Sequence, residues 1–232
     1  MLLSRLFDFI APRYCCVCGS RLTAEERVFC AGCCLDLPLT EFLDHPYDNV
    51  MAKTFWGLIP HFERAYALVY HVPHIRSASM VYQLKYNNRP DIGDNLGWLM
   101  ADKMAAKGFF EGIDAVIPVP LAPVRIRQRG YNQSECLAYG ICRRTHLPLW
   151  DDVVGRKYYA GSQTDKNRWQ RLDNVTDVFE LTNGSRLRGR HVLIVDDVVT
   201  TGATVCALAK QLQLVDDVHI SVASIAFAGE VI

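Results

Sequence analysis

The stretch from His191 to Thr204, HVLIVDDVVTTGAT, decides how the rest of the chain is read. Val192, Leu193, Ile194 and Val195 have the composition of a strand buried on both faces, and the adjacent carboxylates Asp196 and Asp197 follow it. Val198, Val199, Thr200, Thr201, Gly202, Ala203 and Thr204 then turn into a helix running to about Leu214, with Val205, Leu208, Ala209 and Leu212 on one face. In open α/β sheets, ligands bind beyond the carboxyl ends of strands, where the next helix offers unpaired N–H groups and the positive end of its dipole. Gly202 and Ala203 are small enough to let an anion approach the backbone, and the threonine hydroxyls add donors. The two aspartates would repel that anion but can accept hydrogen bonds from hydroxyls one step away from it. An ordinary strand, turn and helix with acids and threonines as caps is the competing reading, and it explains each residue singly but not their order.

The pattern repeats outward from this stretch. AYALVYHV (65–72), DAVIPVP (114–120) and VHISVASIAF (218–227) are further strands, and helices are expected near 75–84, 95–107 and 133–143. Such βα alternation predicts a parallel sheet flanked by helices. The polar segment 156–174 reads as a long surface loop of the kind that closes over ligands.

Beyond the strand DAVIPVP, the run LAPVRIRQRGYNQSECLA places Arg125, Arg127 and Arg129 ahead of Gly130. This basic run is able to neutralise a pyrophosphate by charge-assisted hydrogen bonds, although a solvated basic turn is the usual fate of such a run. Lys85 and Tyr86 end a helix, where lysine also suits the dipole.

Two resemblances sharpen this reading. The turn at 192–204 is similar to the phosphoribosyl pyrophosphate signature of type I phosphoribosyltransferases. That likeness implies that Asp196 and Asp197 contact the ribose, and that Val199, Thr200, Thr201, Gly202, Ala203 and Thr204 hold the 5-phosphate. The wider set resembles the ComF/GntX family. It comprises the C-x-x-C pair, Leu84-Lys85-Tyr86, the VIPVPL strand, the RGYNQ box, Arg156, Ser162-Gln163-Thr164, Arg168, Arg171, Asn174 and the DDVVTTGAT turn. The resemblance implies an α/β type I phosphoribosyltransferase fold, a parallel twisted sheet flanked by helices, and a link to natural competence and the use of external DNA. Before Ser162 the family often shows Thr-Pro; here Ala160-Gly161 stands, which adds backbone freedom to the loop.

The first 45 or so residues have a different texture, and the boundary falls in EFLDHPYDNV (41–50), leaving 1–45 as a cysteine-rich module and 46–232 as the phosphoribosyltransferase-like domain. Six of the nine cysteines lie between Cys15 and Cys34. Cys15 with Cys18 and Cys30 with Cys33 form two C-x-x-C knuckles eleven residues apart, the pattern of a small zinc-ribbon-like site. Four thiolates leave no open coordination position, so the expected Zn²⁺ is structural. A segment this short cannot fold by burial alone, and metal supplies the missing free energy. A redox-active thiol pair and an iron–sulfur site are the rival readings. Cys16 and Cys34 break the two-residue spacing and are left out of the ligand set.

Composition excludes several function classes. Lys plus Arg and Asp plus Glu are equal at 25 each over 232 residues, so no global field draws the chain to nucleic acid or an anionic membrane. MLLSRLFDFIAP (1–12) is read as a short amphipathic helix rather than a signal peptide, no apolar run is long enough to span a membrane, and a cytoplasmic location is expected. No Ser-His-Asp arrangement, Walker motif or GxGxxG is present. Two functions compete. The first is an enzyme that binds Mg²⁺-phosphoribosyl pyrophosphate, with Arg125, Arg127 and Arg129 stabilising departing pyrophosphate while a nitrogen nucleophile attacks ribose. The second is a protein that binds single-stranded DNA or a nucleotide, with Tyr131, Tyr158, Tyr159 and Trp169 as stacking platforms beside the arginines. In either case the DNA-uptake machinery is a candidate partner, and the cysteine module is a possible docking element.

Overall fold

The computed structural model describes residues 12–72, 76–86, 89–157 and 178–229. The cysteine segment contributes α1 (Ala31–Asp36), and α2 (Val50–Lys53) leads into β1 (Phe62–Tyr70), α3 (Arg76–Tyr86) and α4 (Pro90–Ala105). Then follow β2 (Ala115–Pro118), α5 (Pro123–Arg129), α6 (Gln133–Thr145), β3 (Val154–Arg156) and β4 (Phe179–Leu181). The chain ends on β5 (His191–Val199), α7 (Ala203–Leu212) and β6 (His219–Phe227).

Four strands form the parallel sheet in the order β1-β6-β5-β2. β5 lies between β2 and β6, and Val192 to Val195 are fully buried, as their apolar run requires. β2 and β5 run in register, with Val195 opposite Pro118, and the Val119 amide donates to the Val195 carbonyl at 2.9 Å. Their carboxyl ends therefore open side by side, and the segments that follow, Pro120 onward and Asp196 onward, face one another across a cleft.

Helices fix that cleft from outside the sheet. α6 packs on β2, β5 and α4. Its crossing with α4 is backbone-close: a Cβ at Gly97 would lie 2.0 Å from the Leu137 carbonyl oxygen, and one at Gly140 2.0 Å from that of Asp94. Any side chain there would push α6, and the residues at its start, away from the sheet. α7 buries Val205, Leu208, Ala209 and Leu212, the face expected from their spacing.

Both edges of the sheet are covered. Leu39 bridges Val69, with Thr40 N–H donating to Leu68 O at 3.1 Å and Tyr70 N–H to Pro38 O at 2.8 Å, so residues 38–40 line β1. On the other side Val116 N–H donates to Pro148 O at 3.0 Å and Trp150 N–H to Val116 O at 2.8 Å. Paired edges offer no template for another chain. The buried core is continuous from Cys15 through the sheet to Phe227.

Two elements differ from expectation. The basic run after β2 forms the helix α5 rather than a turn, because Pro123 occupies its first turn and Gly130 closes it in the left-handed region at φ 82°. Short antiparallel β3 and β4, too brief for a periodic signal, pair through Arg156 and Phe179. The expected amphipathic helix at the N-terminus and the loop residues 158–177, with Tyr158, Tyr159, Ala160, Gly161 and Trp169, lie outside the described residues. Among the described residues no helix is long and apolar enough to cross a membrane.

Candidate functional site: an acid pair beneath basic residues

The floor of the cleft is the carboxyl end of β5. Asp196 Oδ1 accepts from Ser134 Oγ at 3.0 Å and from the Asp197 amide at 2.8 Å. Lys85 Nζ lies 3.1 Å from Asp197 Oδ2, an ion pair on the cleft wall. Burial, and then the neighbouring Asp197 carboxylate, push the Asp196 carboxyl up to about 7, against the pull of its two hydrogen bonds and of Lys85. An acid held in this way is only partly ionised near neutral pH, and a cation or a hydrogen-bond donor that arrives favours its charged form.

The wall opposite is basic. Arg125 and Arg129, one helical turn apart on α5, line the same cleft as Asp196, Asp197 and Thr204. Arg156 joins them, donating to Pro120 O at 3.4 Å and lying 5.5 Å from the Phe179 ring centre. Arg127, the middle arginine of the run, does not line this cleft; the helix turns it towards a neighbouring groove bounded by Lys85, Tyr86 and α5. Of the turn at 199–204, Thr204 lines the cleft, Thr200 and Thr201 are exposed beside it, and Val199 is buried. Ala203 begins α7 with no side-chain cap on that helix.

Gly202 sits at φ 74°, and a Cβ there would meet Phe55 Cε1 at 2.8 Å and Thr54 Cγ2 at 2.9 Å. The missing side chain thus serves backbone conformation and packing against α2's flank.

The Arg-Gly-Tyr-Asn-Gln-Ser box turns out to be a set of struts. Tyr131 Oη donates to the Leu84 carbonyl at the end of α3 and so anchors Lys85. Asn132 caps α6 through the Ser134 amide at 3.2 Å and donates to Val119 O at 3.1 Å, tying α6 to β2. Arg129 donates to Gln133 Oε1 at 2.8 Å. Asn132, Gln133 and Ser134 are all buried. Ser134 was visible in the sequence as part of the box but not as the partner of Asp196, because 62 residues separate the two. The one local hint was its place in the first helical turn after an asparagine cap.

In the cysteine module, the sulfurs of Cys15, Cys18, Cys30 and Cys33 all lie within 4.8 Å of one another, with Cys18 and Cys30 at 3.6 Å. Tetrahedral zinc with Zn–S bonds of about 2.3 Å needs sulfurs about 3.8 Å apart, so the donor set can hold a metal ion such as zinc. The Ser20 hydroxyl, 3.2 Å from the Cys18 sulfur, and the Ser20 amide bring the Cys18 thiol down to about 6, which favours the thiolate a metal requires. Cys16 is buried outside the cluster, where loss of solvent pushes its thiol far up, and Cys34 is exposed. The Arg27 guanidinium stacks 4.0 Å over Trp98 of α4, fastening the cysteine segment to that helix.

Residues 108–228 match the phosphoribosyl transferase domain family. Among curated relatives, the DNA utilization protein YhgH of Shigella flexneri is 31% identical over 202 residues, 85% of this chain and 83% of that protein. Competence protein F of Haemophilus influenzae is 34% identical over 101 residues, 43% of this chain and 44% of its own length. Competence protein ComFC of Bacillus subtilis is 32% identical over 97 residues, 42% of this chain and 37% of its own length. The chain belongs to the ComF family of phosphoribosyltransferase-fold proteins.

Proposed function

We propose that the cleft binds phosphoribosyl pyrophosphate with Mg²⁺, and that the protein serves the use or uptake-linked processing of external DNA, as the names of its relatives suggest. The observation that carries the ligand assignment is the Asp196–Asp197 pair set against Arg125, Arg129 and Thr204 in one cleft. The aspartates would accept from the ribose hydroxyls, and the turn from Val199 to Thr204, with the open N-terminus of α7, would hold the 5-phosphate. Arg125 and Arg129 would take the pyrophosphate, with Arg127 reaching it from the adjoining groove. Bound Mg²⁺ would add charge neutralisation to the pyrophosphate. In transfer, a nitrogen nucleophile bonds to ribose C1 as the C1–O bond breaks, and the electron pair leaves with the pyrophosphate that the arginines receive. Residues 1–45 act as a structural zinc module appended to the 46–232 domain, and the working compartment is the cytoplasm.

A thermal-shift titration with phosphoribosyl pyrophosphate and Mg²⁺ tests the site. A rise in melting temperature for the wild type that is lost in Asp196→Ala/Asp197→Ala supports it, and no rise at millimolar ligand overturns it. Pyrophosphate release over a panel of bases then separates transfer from binding alone.

A second reading is favoured by one feature. Tyr82 and Tyr86, both exposed, pair on α3 with ring centres 4.8 Å apart, and Arg129 lies 5.7 Å from the Tyr86 ring, beside the groove that holds Lys85, Arg125 and Arg127. Aromatic platforms along a basic groove suit single-stranded DNA. Oligonucleotide binding that weakens with salt and disappears on replacing the arginines supports this reading; salt-independent or absent binding counts against it.

A further inference from the structure

Among the described residues, Lys85 is the one cation in contact with the acid pair, and it comes from a distant element. It stands in the last turn of α3, where the Tyr131 hydroxyl donates to the Leu84 carbonyl. Its backbone is thereby held, while its four-carbon stem can still turn. At 3.1 Å from Asp197 Oδ2, the ammonium covers a carboxylate oxygen that a ribose hydroxyl would have to reach. The two side chains are 24% and 15% exposed, so water and salt screen the pair less than they would on the surface. A donor arriving at Asp197 therefore displaces a charge, not a water.

Where the displaced ammonium can go is set by its surroundings. Lys85 lines both the cleft and the adjoining groove, and the other residues common to the two are Arg125 and Arg129. No acid lines that groove, so an ammonium swung away from Asp197 comes to rest beside two guanidinium groups. Only an anion makes that position favourable. A ligand that brought a ribose diol alone would strand Lys85 among like charges. One that also carries a pyrophosphate at the arginine wall supplies the new partner in the same binding event.

We propose that Lys85 sets which ligand the cleft accepts: it neutralises Asp197 in the empty cleft and passes to the pyrophosphate of an incoming phosphoribosyl pyrophosphate. The ribose diol then gains its acceptors only when the pyrophosphate is present. This rests on the ligand assignment made above and adds a selection rule to it. A ribose phosphate without pyrophosphate leaves the ion pair in place and is held by the turn at 199–204 alone. When pyrophosphate departs, Lys85 returns to Asp197 and competes with the ribose of the product, which favours product release.

Isothermal titration calorimetry on the full zinc-loaded chain with Mg²⁺ tests this. Inorganic pyrophosphate reads the hand-over through a double-mutant cycle. Asp197→Asn frees Lys85 and should tighten pyrophosphate about tenfold, whereas the same change made together with Lys85→Met should tighten it less than about threefold relative to Lys85→Met alone. Lys85→Met should weaken phosphoribosyl pyrophosphate about a hundredfold and ribose 5-phosphate by less than about threefold, a split that general damage to the cleft would not produce. Equal gains for pyrophosphate in the two backgrounds, or equal losses for the two ribose ligands, overturn the proposal and leave the ligand assignment standing. A wild type that binds neither phosphoribosyl pyrophosphate nor pyrophosphate overturns both.

Discussion

The cysteine cluster and the cleft at the carboxyl end of β5 are built on opposite principles. Every donor of the module lies within nineteen residues, Cys15 to Cys33, and the sulfurs converge because two short knuckles fold onto one point. The cleft draws Lys85 from α3, Arg125 and Arg129 from α5, Ser134 from α6 and its acids from β5, and only the sheet brings them together. A locally encoded site depends on its own donors; a dispersed one depends on the scaffold, and its polar groups can even oppose folding.

That contrast can be broken by experiment. The largest effect is expected in the module. Cys33→Ser, or exhaustive chelation, should abolish metal binding and unfold residues 12–40 at a cost of several kcal/mol, given that structural zinc contributes on the order of 10 kcal/mol to small zinc domains. Metal analysis with hydrogen exchange should show protection lost there while β5 and β6 keep theirs; equal loss throughout would mean that the two regions are one cooperative unit.

Next comes the scaffold beneath the cleft. Gly202→Ala meets both a left-handed backbone and the Phe55 ring, and should cost about 2–4 kcal/mol in chemical denaturation. A variant within about 0.5 kcal/mol of wild type would show that the turn is slack.

Asp196→Asn should move in the opposite direction. The folded state raises this carboxyl from 3.8 to about 7, so folding favours the protonated form. The stabilising contribution is complete below pH 3.8 and is lost as pH rises through about 7. Removing the charge should therefore stabilise the protein by about 1–2 kcal/mol at pH 8 and by little at pH 4, while ligand binding falls. A melting temperature that drops at pH 8 would break the claim that the cleft works against the fold. For the wild type, affinity for the phosphoribosyl ligand should increase between pH 6 and pH 8, read by calorimetry.

Smaller still, Ser134→Ala should cost about 1 kcal/mol through the lost hydrogen bond to Asp196, and its binding curve should shift to higher pH. Cys34→Ser, exposed and outside the donor set, should change stability by less than about 0.5 kcal/mol and leave the zinc content intact.

The sequence made the parallel sheet legible because β5 and β6 are long buried runs whose composition alone demands cover on both faces. The face of α7 followed from its spacing, and the four clustered cysteines from theirs. α5 was hidden because Arg, Ile and Gln at its positions carry no helical stripe, its helical state coming from Pro123 and Gly130 at its ends. Arg125 and Arg127 look alike in the sequence, yet the turn of the helix brings only Arg125 into the cleft of Asp196 and Asp197, while both border the neighbouring groove.

What the sequence by itself determined is therefore whatever is written in contiguous residues: the strand and turn at 191–204, the two knuckles, and with them the family. What only the tertiary structure decided is who meets Asp196 and Asp197. Ser134 and Lys85 reach them across 62 and 112 residues of chain, Tyr131 holds α3 in place for that meeting, and Gly202 proves to face Phe55. Hydrogen bonds and ion pairs depend on distances of a few ångströms in space, and spacing along the chain encodes such distances only within a single helix, strand or turn.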